Sequence, residues 1–376
     1  MKKKIEARVI ADSKNEHGQR ITTYVLTYPR FIHAECKTHR VLSDDDSYYE
    51  DTSLMNEKMF SRNAASSRAI PTSRMIKDIE EDPFIPVAWQ KAHKGMQGTE
   101  YFDHTKEVGS KDVLSKIKRE WLKARDEAVH RAKGMLDLGI TKQLVNRILE
   151  PYQWYTCIVT ATEYDNFFEL RCPEYQWDGQ SFKGRKDCLD FVNSNSPVHS
   201  SMNTWDDLSW LKLNKGQGEI HISLLAEAMW DAMNESTPKQ LKAGEWHIPF
   251  SDNISKKKIV DDILGNKLDM SKTELIDNMV KIATARCARV SYLNFEGKDD
   301  YESDIKLYDI LKSSGHYSPF EHCARAMSKD ELQQWGKCEP QVRKDGTPYP
   351  YLREYQEGWS GNLRGFVQLR KDIEND

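Results

Sequence analysis

The chain has no apolar run approaching the roughly eighteen residues that a membrane span requires. Its basic opening, MKKKIEARVIADSK, has no apolar stretch behind it of the kind a secretory leader carries. A soluble cytoplasmic protein with no membrane partner is the expectation. Charge of one sign is also scarce in excess: 55 Lys and Arg stand against 59 Asp and Glu, for a formal net charge of -4. No global field therefore calls for a nucleic acid, and an anionic ligand must be met by a local basic cluster. The seven cysteines, Cys36, Cys157, Cys172, Cys188, Cys287, Cys323 and Cys338, are odd in number, scattered and without a C-x-x-C pair. That excludes a disulfide framework and a zinc knuckle, and reduced thiols are the default. Neither a G-x-G-x-x-G after a strand-like run nor a G-x-x-x-x-G-K-[ST] occurs, so any dinucleotide is held without a Rossmann or P-loop cradle. No repeat at a solenoid period is visible.

What is present begins with IEARVIA and RITTYVLTYPR, β-branched and partly alternating, joined by the turn-forming EHGQR; together they predict a hairpin. FIHAECKTHRVL places Phe31, Ala34, Glu35, Thr38 and Leu42 at helical spacing, which puts His39 and Arg40 near the end of a short helix. EDPFIPVAWQKAHKGMQGTEYFDH reads as irregular. SKDVLSKIKREWLKARDEAVHRAKGMLDLG reads as a long surface helix stopped by Gly139. TKQLVNRILEPYQWYTCIVTATEYDNFFELRC is apolar enough to predict central helices interrupted at Pro151. From Pro173 to about Lys215 the composition turns to Trp, Gly, Ser and Asn, an insertion or binding loop. GEIHISLLAEAMWDAMNE, TELIDNMVKIATARCARVSY and YESDIKLYDILKSSG follow as amphipathic helices, and YPYLREYQEGWSGNLRGFVQLRK as strand or loop before a short helix. At 376 residues, two ordinary domains or a single elaborated one would fit.

Three clusters have the residue types that carry chemistry. HRVLS and SRNAASSRAIP bring together His39, Arg40, Ser43, Ser61, Arg62, Asn63, Ser66, Ser67 and Arg68, separated by DDDSYYEDTSLMNEKMF. Arginine forks pair bidentately with phosphate, and Ser and Asn give short directed hydrogen bonds, so the set suits a nucleotide; a polar loop capped by its serines is the plainer account. SGHYSPFEH sets His316, Ser318, Glu321 and His322 on a stiff loop after Gly315, either as ligand contacts or as satisfied histidines. The spacing of the two histidines does not put both on one helical face, so no metal is expected. Asn146, Arg147, Asn166 and Arg171 lie in apolar surroundings where an arginine needs an anionic partner, a ligand or one of Glu150, Glu163 and Glu169. Arg171 beside Cys172 would also lower a thiol pKa, but no histidine partner for a nucleophile is visible.

Taken together, these stretches resemble the flavin-dependent thymidylate synthases. The family signature R-H-R-x-x-S-x-N-E-x-S-x-R is similar to THRVLS joined to RNAASSR, with Thr38 where the first Arg is usual and Ala64 where the Glu is usual. NRILEPYQWYTCIVTATEYDNFFELRC, GQGEIHISLLAEAM, RVSY and GHYSPFEH resemble further family segments, and the matching pieces cover roughly half of the chain. Their order is permuted, because RVSY and SPFEH precede the signature in the common form. The resemblance implies an α/β (α+β) fold with central helices and a mainly antiparallel sheet, a single elaborated domain over 1–376 with insertions near 44–60, 84–110 and 173–215. It further implies a homotetramer with shared active sites, holding FAD, reduced by NADPH, and moving a one-carbon unit from 5,10-methylenetetrahydrofolate to C5 of dUMP to give dTMP. By the same resemblance Glu35, Ser66, Ser67, Arg68, Arg147 and Arg171 bind the substrate, with Arg171 and Ser66 acting in catalysis. His39, Arg40, Asn63, Asn166, His316 and Ser318 line the flavin or folate side. A hydroxymethylase or methylase of another deoxypyrimidine monophosphate such as dCMP, and a nucleotide-binding protein without turnover, are the competing expectations. The inserted DDDSYYEDTSLMNEKMF is expected to bulge outward from the loop it interrupts.

Overall fold

A computed structural model describes residues 2–37, 61–66, 68–94, 100–102, 110–195, 202, 204–211, 213–214, 218–263, 271–292, 300–334 and 358–375. The chain opens with the expected hairpin, β1 (Glu6–Asn15) and β2 (Arg20–Pro29), paired antiparallel from Glu6↔Thr27 to Lys14↔Arg20. Its turn is closed by Asn15, whose Oδ1 accepts the backbone N–H groups of His17 and Gln19, each at 3.0 Å, while Gly18 takes φ 91°. An Asx turn followed by glycine is the local chemistry that EHGQR encodes. After a single 3₁₀ turn comes the short α1 (His33–Lys37), then β3 (Ser61–Ala64), α2 (Thr72–Glu81), the long α3 (Ser110–Asp137) and α4 (Lys142–Val145). Gly139, at φ 79°, follows α3 as predicted.

The stretch expected to form central helices departs from that reading. Residues 146–152 make a 3₁₀ turn, and β4 (Trp154–Ala161) then runs as an interior strand of the main sheet before α5 (Asp165–Arg171). The segment WYTCIVTA is aromatic and β-branched, and it pairs with β2 from Thr22↔Ala161 to Pro29↔Trp154. Buried on both faces, such a strand shows no polar alternation. The segment from Pro173 is folded rather than a plain loop: β5 (Glu174–Trp177) and β6 (Gln180–Lys183) form a hairpin, followed by α6 (Arg185–Asn195) and α7 (Asp207–Leu211). Tyr175, Cys188, Val192, Met202 and Trp210 give it a small core of its own. Within the region read as irregular, Gln90 and Tyr101 form an isolated antiparallel bridge.

The remainder is α8 (Ile220–Glu235), β7 (Lys239–Leu241), β8 (Trp246–His247), α9 (Lys256–Ile263), α10 (Lys272–Arg289), α11 (Tyr301–Ser313), β9 (Ala324–Ala326), α12 (Lys329–Gln334), β10 (Trp359–Ser360), β11 (Leu363–Arg364), β12 (Phe366–Gln368) and α13 (Leu369–Asn375). The five-stranded sheet has the order β3-β4-β2-β1-β7, antiparallel except for the short β1/β7 pair, and a second sheet has the order β12-β9-β8. This is a mixed α/β fold with mainly antiparallel sheets. One face of the large sheet, carrying Tyr24, Leu26 and Tyr28, packs on α2, α3, α5 and α8. Val25 and Ile158 on the other face meet Phe250 and, from α10 and the turn beyond it, Cys287 and Val290. Among the described residues no helix is long and apolar enough to cross a membrane.

Candidate functional site

β3 carries the second half of the split motif along the edge of the large sheet, in register with β4 from Ser61↔Thr160 to Ala64↔Cys157. Strand alternation divides its side chains between two faces. On one face Arg62 Nη1 donates to His33 Nε2 at 3.1 Å, and His33 Nδ1 lies 2.9 Å from the Tyr28 hydroxyl. A guanidinium only donates, so a neutral His33 carries its hydrogen on Nδ1 and gives it to Tyr28. On the opposite face Asn63 Nδ2 donates to the Cys287 carbonyl at 3.4 Å. Ser61 Oγ donates to Asn362 Oδ1 at 3.2 Å and accepts from Gln368 Nε2 at 3.0 Å. Burial raises the Glu321 carboxyl, against the pull of Arg370 at 2.5 Å and of the nearby Ser61 hydroxyl. The tail GNLRGFVQLRK thus turns Asn362 and Gln368 inward and locks β3 to the SPFE turn, while Arg364 remains exposed.

Beyond β3 the chain makes a tight turn. Ser66 donates its N–H to the Ser291 carbonyl at 3.2 Å, its own carbonyl accepts from Ala69 and Ile70, and its Oγ accepts the Arg68 N–H at 3.3 Å. Lys142 Nζ and Asn146 Nδ2 hold the carbonyls of Ala69 and Ile70, each at 3.1 Å. Ser66 is half-buried and Arg68 exposed, and the Arg68 guanidinium has no hydrogen-bond or ion-pair partner among the described residues. Arg147, at the exposed edge of this region, lies 3.1 Å from Glu150, which Arg30 also approaches at 3.4 Å. The internal salt bridge weighed for Arg147 is therefore present.

A second group gathers where α5 ends and α8 begins. Arg171 runs its stem past Gly218, where an added Cβ would lie 3.6 Å from Arg171 Cδ and 2.6 Å from Ser223 Oγ. Glu219 caps α8 by accepting the N–H groups of His221 and Ile222 and holds His221 Nδ1 at 2.6 Å. The Val87 N–H reaches the other side of that ring, Nε2, at 3.1 Å. Burial raises the Glu35 carboxyl, the like charge of Glu219 raises it further, and Arg171 and His221 oppose both. Glu219, Arg171 and His221 therefore all act electrostatically on Glu35. Reading the sequence missed Glu219 and His221: GQGEIHIS was noticed as a helix, and Glu is not among the favoured N-caps.

The other expected residues are dispersed. Asn166 lies half-buried in the first turn of α5, and His316 and Ser318 are exposed on the loop after α11, with Ser314 Oγ 3.0 Å from His316 Nδ1. The 3₁₀ turn from Ser318 to Glu321 packs on β3. Burial pushes the Cys172 thiol well up, opposite to the lowering that Arg171 beside it suggested. His39, Arg40, Ser67 and the insertion 44–60, with its expected bulge, lie outside the described residues. Among the described residues no three His, Cys, Asp or Glu side chains gather as metal ligands do.

No family model matches the chain. No curated protein matches it either. Among solved structures it is similar to a UMP/dUMP methylase PolB from Streptomyces cacaoi bound with 5-Br UMP. The two are 14% identical with a TM-score of 0.36, over 61% of this chain and 89% of that one. The same methylase bound with 5-Br dUMP gives 16% identity and a TM-score of 0.28, over 58% of this chain and 75% of that one. At that degree of identity and superposition the likeness says nothing of chemistry.

Proposed function

We propose that the chain is a flavin-dependent methylase acting on C5 of a deoxypyrimidine monophosphate, converting dUMP, methylenetetrahydrofolate and NADPH with a proton to dTMP, tetrahydrofolate and NADP+. The observation that carries this reading is the meeting of three stretches distant in sequence. The VSY turn at Ser291 and the SPFE turn both pack on β3, the strand that opens SRNAASSR. The donors there, the exposed Arg68, His316 and Ser318 and the half-buried Ser66, suit a ligand rich in phosphate and ring acceptors, and FAD is such a group. Bound flavin supplies the hydride chemistry. Ser66, Ser67 and Arg68 then hold the nucleotide phosphate, with Arg147 released from Glu150 to join them. His39, Arg40, Asn63, Asn166, His316 and Ser318 face the cofactor and the folate. Arg171 polarises a pyrimidine carbonyl, and a fixed guanidinium aimed where negative charge develops is the strongest kind of help this chemistry takes. No protein nucleophile is required. The active unit is a homotetramer whose subunits share each site.

A second reading rests on Glu35 and Glu219, the two carboxylates that flank Arg171. A carboxylate accepts the exocyclic amine of cytosine, so dCMP is the competing base. Incubation with FAD, NADPH, methylenetetrahydrofolate and either dUMP or dCMP, with product mass read out, separates the two. A mass gain of one methyl on dUMP alone supports thymidylate synthesis, and a gain on dCMP alone replaces it. If neither nucleotide changes while flavin remains bound and is reduced, the methylase reading is wrong.

A further inference from the structure

A groove of about 440 Å³, lined by none of the candidate site residues above, lies between β1, β8, α9 and α10. Its volume is in the range of small-molecule sites. Trp246, Ile248, Leu275, Ile276 and Met279 give it an apolar wall, and Lys239, Lys256 and Lys272 stand on its rim. None of the three lysines has an acidic partner among the described residues. Lys256 opens α9 and Lys272 opens α10, ends at which the helix dipole already places positive charge and where acidic residues are the favourable choice. Of the acids lining the groove, Asp12 is held by Arg20 at 2.6 Å, which leaves Glu245 and Asp252 against three ammonium groups.

The groove also has a buried polar contact, Ser13, which is 4% exposed. Its hydroxyl begins a chain that crosses both sheets. Ser13 Oγ lies 2.9 Å from His247 Nδ1, His247 Nε2 2.8 Å from Thr23 Oγ1, Thr23 Oγ1 2.7 Å from Thr160 Oγ1, and Thr160 Oγ1 2.8 Å from His322 Nδ1. His322 Nε2 has no partner. Burial holds both imidazoles near a pKa of about 3, so each is neutral and carries one hydrogen. Five groups then share five hydrogens among four links, and four arrangements leave every link filled. Three of them strand a buried hydrogen without an acceptor in the chain, on Thr23, Thr160 or His322 Nε2; in the fourth every hydrogen points toward Ser13 and Nε2 is a bare lone pair. A buried donor left without an acceptor is costly, so the fourth arrangement holds. Ser13 then accepts from His247 and has its own O–H left to donate at the floor of the groove.

We propose that this groove binds a small organic anion, an apolar body bearing one carboxylate, sulfonate or phosphate, gripped by Lys239, Lys256 and Lys272 at the rim and by the Ser13 hydroxyl at the floor. The inference is independent of the methylase reading. The probe is 8-anilinonaphthalene-1-sulfonate, with N-phenyl-1-naphthylamine as its uncharged counterpart, each titrated into the full-length protein by fluorescence. The sulfonate should saturate at one per chain with blue-shifted emission, and the uncharged amine should bind at least about tenfold more weakly, the ratio of about one charge-assisted contact. Combined K239Q, K256Q and K272Q should weaken the sulfonate by about tenfold or more and leave the amine unchanged, with the urea midpoint retained. S13A should weaken the sulfonate severalfold; if that variant does not fold, the lysine series alone decides. Sulfonate binding that does not saturate, is matched by the amine, or is unmoved by the three lysine substitutions overturns the proposal.

Discussion

His247 and His322 are fully buried, and each gives up a pKa near 6.5 for one of about 3. An unfolded histidine takes up its proton near pH 6.5, so between there and about pH 3 the unfolded chain binds more protons than the native one. Stability must fall as pH falls through that window, by about 1.4 kcal/mol per pH unit for each histidine. Asp231 works in the opposite sense: burial raises its carboxyl to about 6, so its contribution weakens as pH rises from about 4 to 6. Comparing a single variant with the parent removes such background. H322Q should give a visibly shallower loss of urea midpoint between pH 6.5 and 5 than the parent chain, and parallel curves would contradict this account. Gly361 is the other residue whose role is settled by geometry. At φ 65° its missing Cβ would sit 2.3 Å from Gln368 Oε1, in the network that ties Ser61 to the tail. Gly361→Ala should cost about 2 kcal/mol or more, read as a lowered Tm, from left-handed backbone and overlap together. Neither feature was legible beforehand, because SPFEH and GNLRG name the residues without saying which end up walled in.

At the scale of elements, Arg185 clips the hairpin and helix that follow Pro173 to α8, beside the Lys186–Glu235 ion pair. Arg185 Nη2 lies 2.8 Å from Glu227 Oε2, its Nη1 2.8 Å from Asp207 Oδ1, and its N–H 2.6 Å from Glu227 Oε1. The Glu227 side chain is 5% exposed, so removing its partner strands a buried carboxylate. R185A should therefore destabilise by about 3 kcal/mol, and R185A with E227Q should recover most of that, since the second change removes the unpaired charge. Denaturant midpoints of the two variants decide it; equal loss in both would mean that the contact matters for packing and not for charge. The composition change at Pro173 marked this region, but its core joins Tyr175 to Met202 and Trp210, contacts that no local period reveals. β4 was misread for a related reason: a short unbroken apolar run has the same pattern in a buried strand and a buried helix. The hairpin, α3 and α11 were legible because each carries its own turn or stop signal, and α8 and α10 because an apolar pattern that long exceeds a strand.

At the scale of the whole molecule, the residues expected at one site lie in two groups. Arg68 is exposed on the turn beside Ser291, whereas Arg171 is drawn among Glu35, Glu219 and His221 at the start of α8. Arg68 makes no hydrogen bond or ion pair with that second group. Which chain completes which site was not legible in the sequence, because an interface leaves no period along a single chain. If the proposed tetramer builds each site from two subunits, with Arg68 from one and Arg171 from another, two inactive variants should rescue each other. R68A and R171A are each expected to abolish dTMP formation. In a tetramer reassembled from equal amounts of both, a site needs an R171A chain to give Arg68 and an R68A chain to give Arg171, so about a quarter of the sites come out intact. Unfolding and refolding the mixture together should restore about that share of parent activity, while mixing without exchange restores none. Were both arginines supplied by the same chain, every site in every mixture would keep one defect, and activity would stay at zero.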